Sequence, residues 1–539
     1  MNGEWGAQPG QTNLADHGGA VYAVQDGSLT VNNGVSRLPA HQLFDQWESS
    51  VRRGNRRMLR IAPDRTAALE RTEPLRRLTD ALGAVSPGQV LLVRGEPGVG
   101  KTALTLQAAD QLRARSVRVL VAALPTLSVH AGGLGELLAE AAPPGTPAMP
   151  PGLLILDAAE AVQEGLDALC AEAVTAAWAA TLTPVLISRD DAVDSVRDVV
   201  EQLGGRDIGD CTVPPLDDHE ISDLLALAPE LSRLARDPRA RWLLRRLSVV
   251  DLLLRSAARG TDLPAVLSSE ADVYSHVWLG LVLNNSRTVR GIVPEDRESA
   301  LISLAEGRLS GRRVPLLPGS ALAVLRSDGI LAPLGAASPT SCEEHAFAHD
   351  VVRDFATVRR LVLTDGLPLL EEHGPRWALR AARIYCQARL WPGGGSTGTF
   401  ALGWAQVHGE MTRLAARHGS RWEEVCWEAV LSAGWCADAL AALTERLLHE
   451  PDLLRQLKFP PDLGQRVLTL RGVKSCCSLA RVSSGVRYPN SGCLRSLVRL
   501  YSTSMKRKTS ARAASRLSQT VVPISAFSKP KKLSAAALS

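Results

Sequence analysis

Gln89 to Thr102, QVLLVRGEPGVGKT, combines an apolar run with a glycine turn and a paired lysine and threonine. Gly95, Glu96, Pro97, Gly98, Val99, Gly100, Lys101 and Thr102 follow the spacing G-x-x-x-x-G-K-T. Glycines let a backbone curl until successive N–H groups point inward at phosphate oxygens. A helix beginning at Lys101 turns its positive end toward the same anion. Lys101 suits the β- and γ-phosphates, and the Thr102 hydroxyl suits Mg²⁺. The ligands expected are therefore ATP or ADP with Mg²⁺. Composition supports the assignment. The first 470 residues hold only two lysines, Lys101 and Lys458, so the chain otherwise writes arginine where it wants positive charge. It keeps lysine where a compact charge fits a phosphate.

A second cluster lies downstream in LLILDAAE, Leu153 to Glu160. Four apolar residues place Asp157 at a strand tip, where it would hold Mg²⁺ with Thr102 or cap the next helix. Glu160 would orient or deprotonate an attacking water, or else lie on the surface of that helix. Arg189 ends another apolar run, PVLIS, and would reach the γ-phosphate or pair with Asp190 or Asp191. Asp157, Glu160 and Arg189 are the candidate catalytic residues.

These groups need strands that end together. Val90–Val93, Val117–Ala123, Leu153–Leu156 and Pro184–Ser188 are apolar runs that alternate with helical patterns. That alternation predicts an α/β fold, a parallel sheet with helices on both faces, and ligands sit at the carboxyl ends of such strands. Leu75, Leu78 and Leu82 recur at helical spacing in the segment leading into the sheet. Arg71 and Glu73 are expected to pack that leading helix.

The 539 residues divide into several regions. Residues 1–34 are polar, with β-prone runs Val21–Gln25 and Ser28–Asn32 flanking Asp26-Gly27, a hairpin signal. This hairpin would dock on the body or stack with copies of itself. Residues 35–65 read as a linker with an arginine cluster. Residues 66–215 form the sheet domain and 216–290 a helical domain. Residues 291–365 suggest helices around a small wing, and 366–470 are helical again. From 471 to 539 there are 14 basic residues, 15 serines and no acid, a composition that predicts disorder, an RNA- or membrane-binding tail, or a shifted reading frame.

The net charge of +5 conceals a contrast. The other 470 residues hold 47 of the 61 basic residues and all 56 acids, so the main body is mildly acidic and a poor general surface for nucleic acid. No run of 18 apolar residues suggests a membrane span, and no secretory signal opens the chain. Nine cysteines without a C-x-x-C pair fit neither zinc ligation nor a disulfide framework, and a cytoplasmic location is expected.

RTEPLRRL, GEPGVGKT, LLILDAAE, LISR, VPPLDDHEI and FAHDVVRDF, in that order over residues 70–365, resemble the STAND class of signalling NTPases, relatives of NACHT and NB-ARC proteins. The resemblance implies a bacterial signalling or defence switch, closed with ADP and open with ATP. It also implies self-association on activation and a protein stimulus acting on the C-terminal helical region. Ala161 stands where a further acid often follows, which implies slow hydrolysis. Ala348-His349-Asp350 is similar to the family's winged-helix motif, so His349 is expected to contact the β-phosphate of ADP. The N-terminal runs loosely resemble short amyloid-signalling motifs. A second reading is a winged-helix transcription regulator with an ATPase domain, although its candidate recognition helix, Ala321–Leu331, carries one Arg and one Asp.

Overall fold

The computed structural model describes residues 11–15, 21–25, 28–32 and 39–446, apart from 55–57, 62–64, 128–132, 142–150, 205–206, 285–292, 313–316, 334–344, 349, 364–366, 392–396 and 444–445. The basic tail and His349 lie outside these residues.

Three N-terminal strands, β1 (Gln11–Ala15), β2 (Val21–Gln25) and β3 (Ser28–Asn32), form an antiparallel meander in the order β1-β2-β3. Gln25 stands opposite Ser28, the register of a two-residue hairpin connection, as Asp-Gly favours. The sequence signalled β2 and β3; β1, polar and short, carried no alternating pattern.

Residues 35–65, expected as a linker, instead hold a packed helix, α1 (Ala40–Gly54), and a short strand, β4 (Met58–Arg60), which pairs antiparallel with β5 (Thr66–Ala68) just beyond. Ala40, Phe44, Trp47 and Val51 are buried against the central sheet domain. Their spacing marks one face of a helix. Arg52 from the cluster pairs with Glu48 and with Asp110, each at 2.5 Å.

The central domain begins with α2 (Thr72–Ala84) and continues through β6 (Val90–Gly95), α3 (Lys101–Ala114) and β7 (Arg118–Ala123). Two short helices follow, α4 (Leu124–Leu127) and α5 (Leu134–Glu140). Then come β8 (Gly152–Asp157), a 3₁₀ turn (Ala159–Glu164), α6 (Asp167–Ala179), β9 (Leu182–Arg189), α7 (Val193–Gln202) and β10 (Ile208–Thr212). The five strands are all parallel, in the order β10-β6-β9-β8-β7. Alternate strand residues feed two cores: Leu92, Leu154 and Leu186 face one layer, whereas Val93, Ile155 and Ile187 face the layer of α2 and α3. Burial on both faces is why these strands read as continuous apolar runs. The polar edge strand β10, IGDCT, lacks that signature.

Beyond the sheet come α8 (Asp218–Leu227), α9 (Ser232–Ala235), α10 (Pro238–Leu244), α11 (Leu247–Ala257) and α12 (Glu270–Val277). They share one core with α13 (Pro294–Ser310), α14 (Gly319–Ser327), the antiparallel pair β11 (Leu331–Pro333) and β12 (His345–Phe347), and α15 (Asp350–Leu363). A last core, rich in tryptophan, joins α16 (Pro368–His373), α17 (Leu379–Leu390), α18 (Thr397–His418), α19 (Arg421–Leu431) and α20 (Cys436–Ala442). Among the described residues no single helix is long and apolar enough to cross a membrane.

Candidate functional site

The glycine loop leaves the buried tip of β6 and closes on the first turn of α3. A Cβ on Gly95 would lie 2.5 Å from the Val213 carbonyl oxygen, so the loop and the chain after β10 approach as only glycine permits. Gly98 has φ +80° and would drive a Cβ into the Ser248 side chain. Ser248, near the start of α11, donates its N–H to the Gly98 carbonyl at 3.0 Å. Val99 is buried, and Lys101 donates to the carbonyls of Gly95 (2.9 Å) and Glu96 (3.0 Å). Burial lowers the Lys101 ammonium's affinity for its proton, against the pull of Glu160, Asp190 and Asp350.

Thr102 donates its hydroxyl to Asp157 at 2.7 Å, so the two expected magnesium ligands already touch. Burial pushes the Asp157 carboxyl up, opposed by that hydrogen bond. Its neighbour Ala158 sits in the left-handed region at φ +56°, unusual for a residue with a Cβ, and turns the chain sharply into the 3₁₀ turn. That turn holds Glu160. Lys101, Thr102, Asp157, Glu160 and Arg189 therefore gather at the carboxyl ends of the parallel strands. The donor set fits a magnesium nucleotide: inward-curling loop, ammonium, hydroxyl and carboxylate. Arg189 adds a buried guanidinium whose Nη1 has no hydrogen-bond partner among the described residues.

Arg189 pairs with Asp191 at 2.5 Å, one of the partners expected from sequence. Its Nη1 also faces Asp350 of α15 at 3.9 Å. Asp350 lies close enough to Glu160 for the two carboxyls to act on each other's ionisation, and 3.5 Å from Arg353. Arg353 in turn reaches Glu164 at 2.8 Å, tying α15 to the 3₁₀ turn. Two carboxyls meeting in this way share a proton. Burial first, and the Asp350 charge second, push the Glu160 carboxyl up to about 8. Burial works against ionising Asp350 too, but Arg353, Arg189 and the neighbouring Glu160 carboxyl hold it well below the usual carboxylate range. Of the two carboxyls, Glu160 is thus the one that keeps its proton more readily.

Three participants escaped the sequence reading. Asp350 adjoins His349 in the same motif, and that adjacency was the only signal available. Arg71, expected merely to pack α2, is almost fully buried. It donates to Glu220 (2.7 Å), to the Val99 carbonyl of the glycine loop (2.8 Å) and to the Pro214 carbonyl (2.8 Å). Arg246 reaches Glu96 of the loop at 2.8 Å. Leu247 and Ser248 lie directly against Gly100 and Gly98.

Residues 68–277 match the family model of the AAA ATPase domain. They form a P-loop NTPase domain. Its parallel sheet and covering helices agree with the fold expected from the strand pattern. None of the curated proteins compared with the chain matches it. Among solved structures, the chain is similar to the Orc1 protein of Aeropyrum pernix in complex with DNA, at 17% identity over 56% of this chain and 97% of that one, TM-score 0.29. It is also similar to Cdc6p of Pyrobaculum aerophilum, at 14% identity over 53% of this chain and 94% of that one, TM-score 0.25. A third is Hsp104 of S. cerevisiae in its casein complex, at 15% identity over 52% of this chain and 50% of that one, TM-score 0.27.

Proposed function

We propose that the chain is an ATP-binding switch of the STAND type with slow hydrolysis, closed with ADP and open with ATP. The observation that carries this reading is Asp350. A carboxylate from beyond the NTPase domain reaches the centre made by Lys101, Glu160 and Arg189.

The loop N–H groups and Lys101 hold the phosphates; Lys101 exchanges its two loop carbonyls for phosphate oxygens. Thr102 and Asp157 would hold Mg²⁺, which would neutralise phosphate charge. Arg189 is shared. Asp350 competes for it with any γ-phosphate, and two anions beside one guanidinium repel each other. The closed arrangement therefore favours a diphosphate, and a triphosphate favours withdrawal of α15. Glu160 is a poor base while it keeps its proton, which supports slow hydrolysis. Withdrawal of Asp350 lowers its proton affinity and readies it to accept a proton from water. Open protomers would then self-associate, with the N-terminal strands as one contributor and a protein stimulus on the C-terminal helices as the trigger.

The test is calorimetric titration of the parent and of Lys101→Ala with Mg-ATP and with ADP. Binding by the parent and none by the variant, at unchanged helical content, is expected. Equal affinities would refute the phosphate site.

A further inference from the structure

The glycine loop is wired to the tryptophan-rich helices by a buried chain of charges. Glu96, the second residue of the loop motif, accepts from Arg246 at 2.8 Å. Arg246 is 5% exposed, and its guanidinium carbon lies over the Trp242 ring, 4.5 Å from its centre. Its other arm holds Glu270. Glu270 is 2% exposed and stands in the first turn of α12, behind a Ser269/Asp272 capping box. It also accepts from Arg380 at 3.2 Å and from Arg383 at 3.3 Å, both on α17. Arg380 continues to the fully buried Asp354 of α15 at 3.1 Å.

Three guanidiniums thus converge on the two oxygens of one carboxylate that water does not reach. Burial opposes the Glu270 charge, and Arg246, Arg380 and Arg383 outweigh it. In such a site the pairs are strong and interdependent, because solvent does not compensate a lost partner. A change at one cation redistributes the others.

We infer that Glu270 is a positioning residue through which the seating of α17 sets how firmly the phosphate loop holds its nucleotide. If α17 shifts, Glu270 loses Arg380 or Arg383 and draws Arg246 more fully onto itself. Arg246 then leaves Glu96. Glu96 has then lost this guanidinium, and the more negative loop repels the phosphate that it cradles. Nucleotide release speeds up although no group touching the nucleotide has been altered. This inference rests on the phosphate-site reading above.

Arg383 is the best place to test it, since its side chain is 19% exposed and reaches solvent. The experiment measures dissociation of a fluorescent ADP analogue from the full chain in four proteins: parent, Arg383→Gln, Glu96→Gln and the double variant. Arg383→Gln should speed release by about tenfold, within the roughly 5- to 150-fold range of coupled sites. In the Glu96→Gln background the same change should have less than about a twofold effect, because the charge that carries the message is gone. Arg383→Lys, which keeps the charge and loses the planar fork, should fall between. It serves in the same cycle if the glutamine variant fails to fold. Equal acceleration in both backgrounds would make Arg383 a general stabiliser and overturn the inference, as would tight ADP binding indifferent to Arg383. A parent that binds no ADP overturns the phosphate site itself, which is a separate failure.

Discussion

The Glu160–Asp350 contact makes stability depend on pH in a specific direction. Glu160 ionises near 8 in the folded chain and near 4.5 when free of it. A raised carboxyl favours the folded state in its protonated form. Its contribution is complete below about pH 4.5 and is lost as pH rises through about 8. Each tenfold change in an ionisation constant is worth about 1.4 kcal/mol, so the full difference is on the order of 5 kcal/mol. The Glu160 side chain is half-buried, and solvent screening reduces this to roughly 2–3 kcal/mol. Glu160→Gln replaces the acid by an amide of nearly the same shape that does not titrate. Urea denaturation of both proteins between about pH 4 and 9, without nucleotide, is the assay. The parent should lose roughly 2–3 kcal/mol relative to the variant across that range. Other titrating groups, such as the half-buried His276, are common to both proteins and drop out of the difference. Parallel pH profiles would refute the shared proton and, with it, the reason given for slow hydrolysis.

Two further outcomes follow from the packing around the loop. Arg71→Ala strands the Glu220 carboxylate in the interior and frees the Val99 and Pro214 carbonyls. It should cost about 3–5 kcal/mol in chemical denaturation, whereas a loss under about 1 kcal/mol would mean that Arg71 is dispensable. Gly98→Ala combines a left-handed backbone position with a collision against Ser248. It should lower the melting temperature and weaken ADP binding together, and a variant that binds as tightly as the parent would show that the loop and α11 move apart at little cost.

Much of the central domain was legible because its signals are local. Strands buried on both faces must be apolar at nearly every position, so β6, β8 and β9 stood out as runs. The glycine loop announces itself because the backbone needs glycine at Gly95 and Gly98 for reasons that a few neighbouring residues make plain. The edge strand β10 was missed because an edge position tolerates the polar residues of IGDCT. Helix α1 was missed for a different reason. Phe44, Trp47 and Val51 do carry helical spacing, but the arginines after them drew the reading toward a solvated linker.

By itself, then, the sequence determined the parallel sheet, the phosphate loop and the strand-tip residues Asp157 and Arg189. Each is written in the order and spacing of residues within a short window. Only the tertiary structure decided that Asp350 meets Glu160 and Arg189, that Arg71 braces the loop from outside, and that Glu96 is joined through Arg246 and Glu270 to α17. The physical reason is that a charge carries no address. With 61 basic and 56 acidic side chains in the chain, nothing in an arginine's neighbours specifies which carboxylate it will meet. Burial makes that choice: the folded core brings distant segments together and withdraws water, and the charges left inside must find one another.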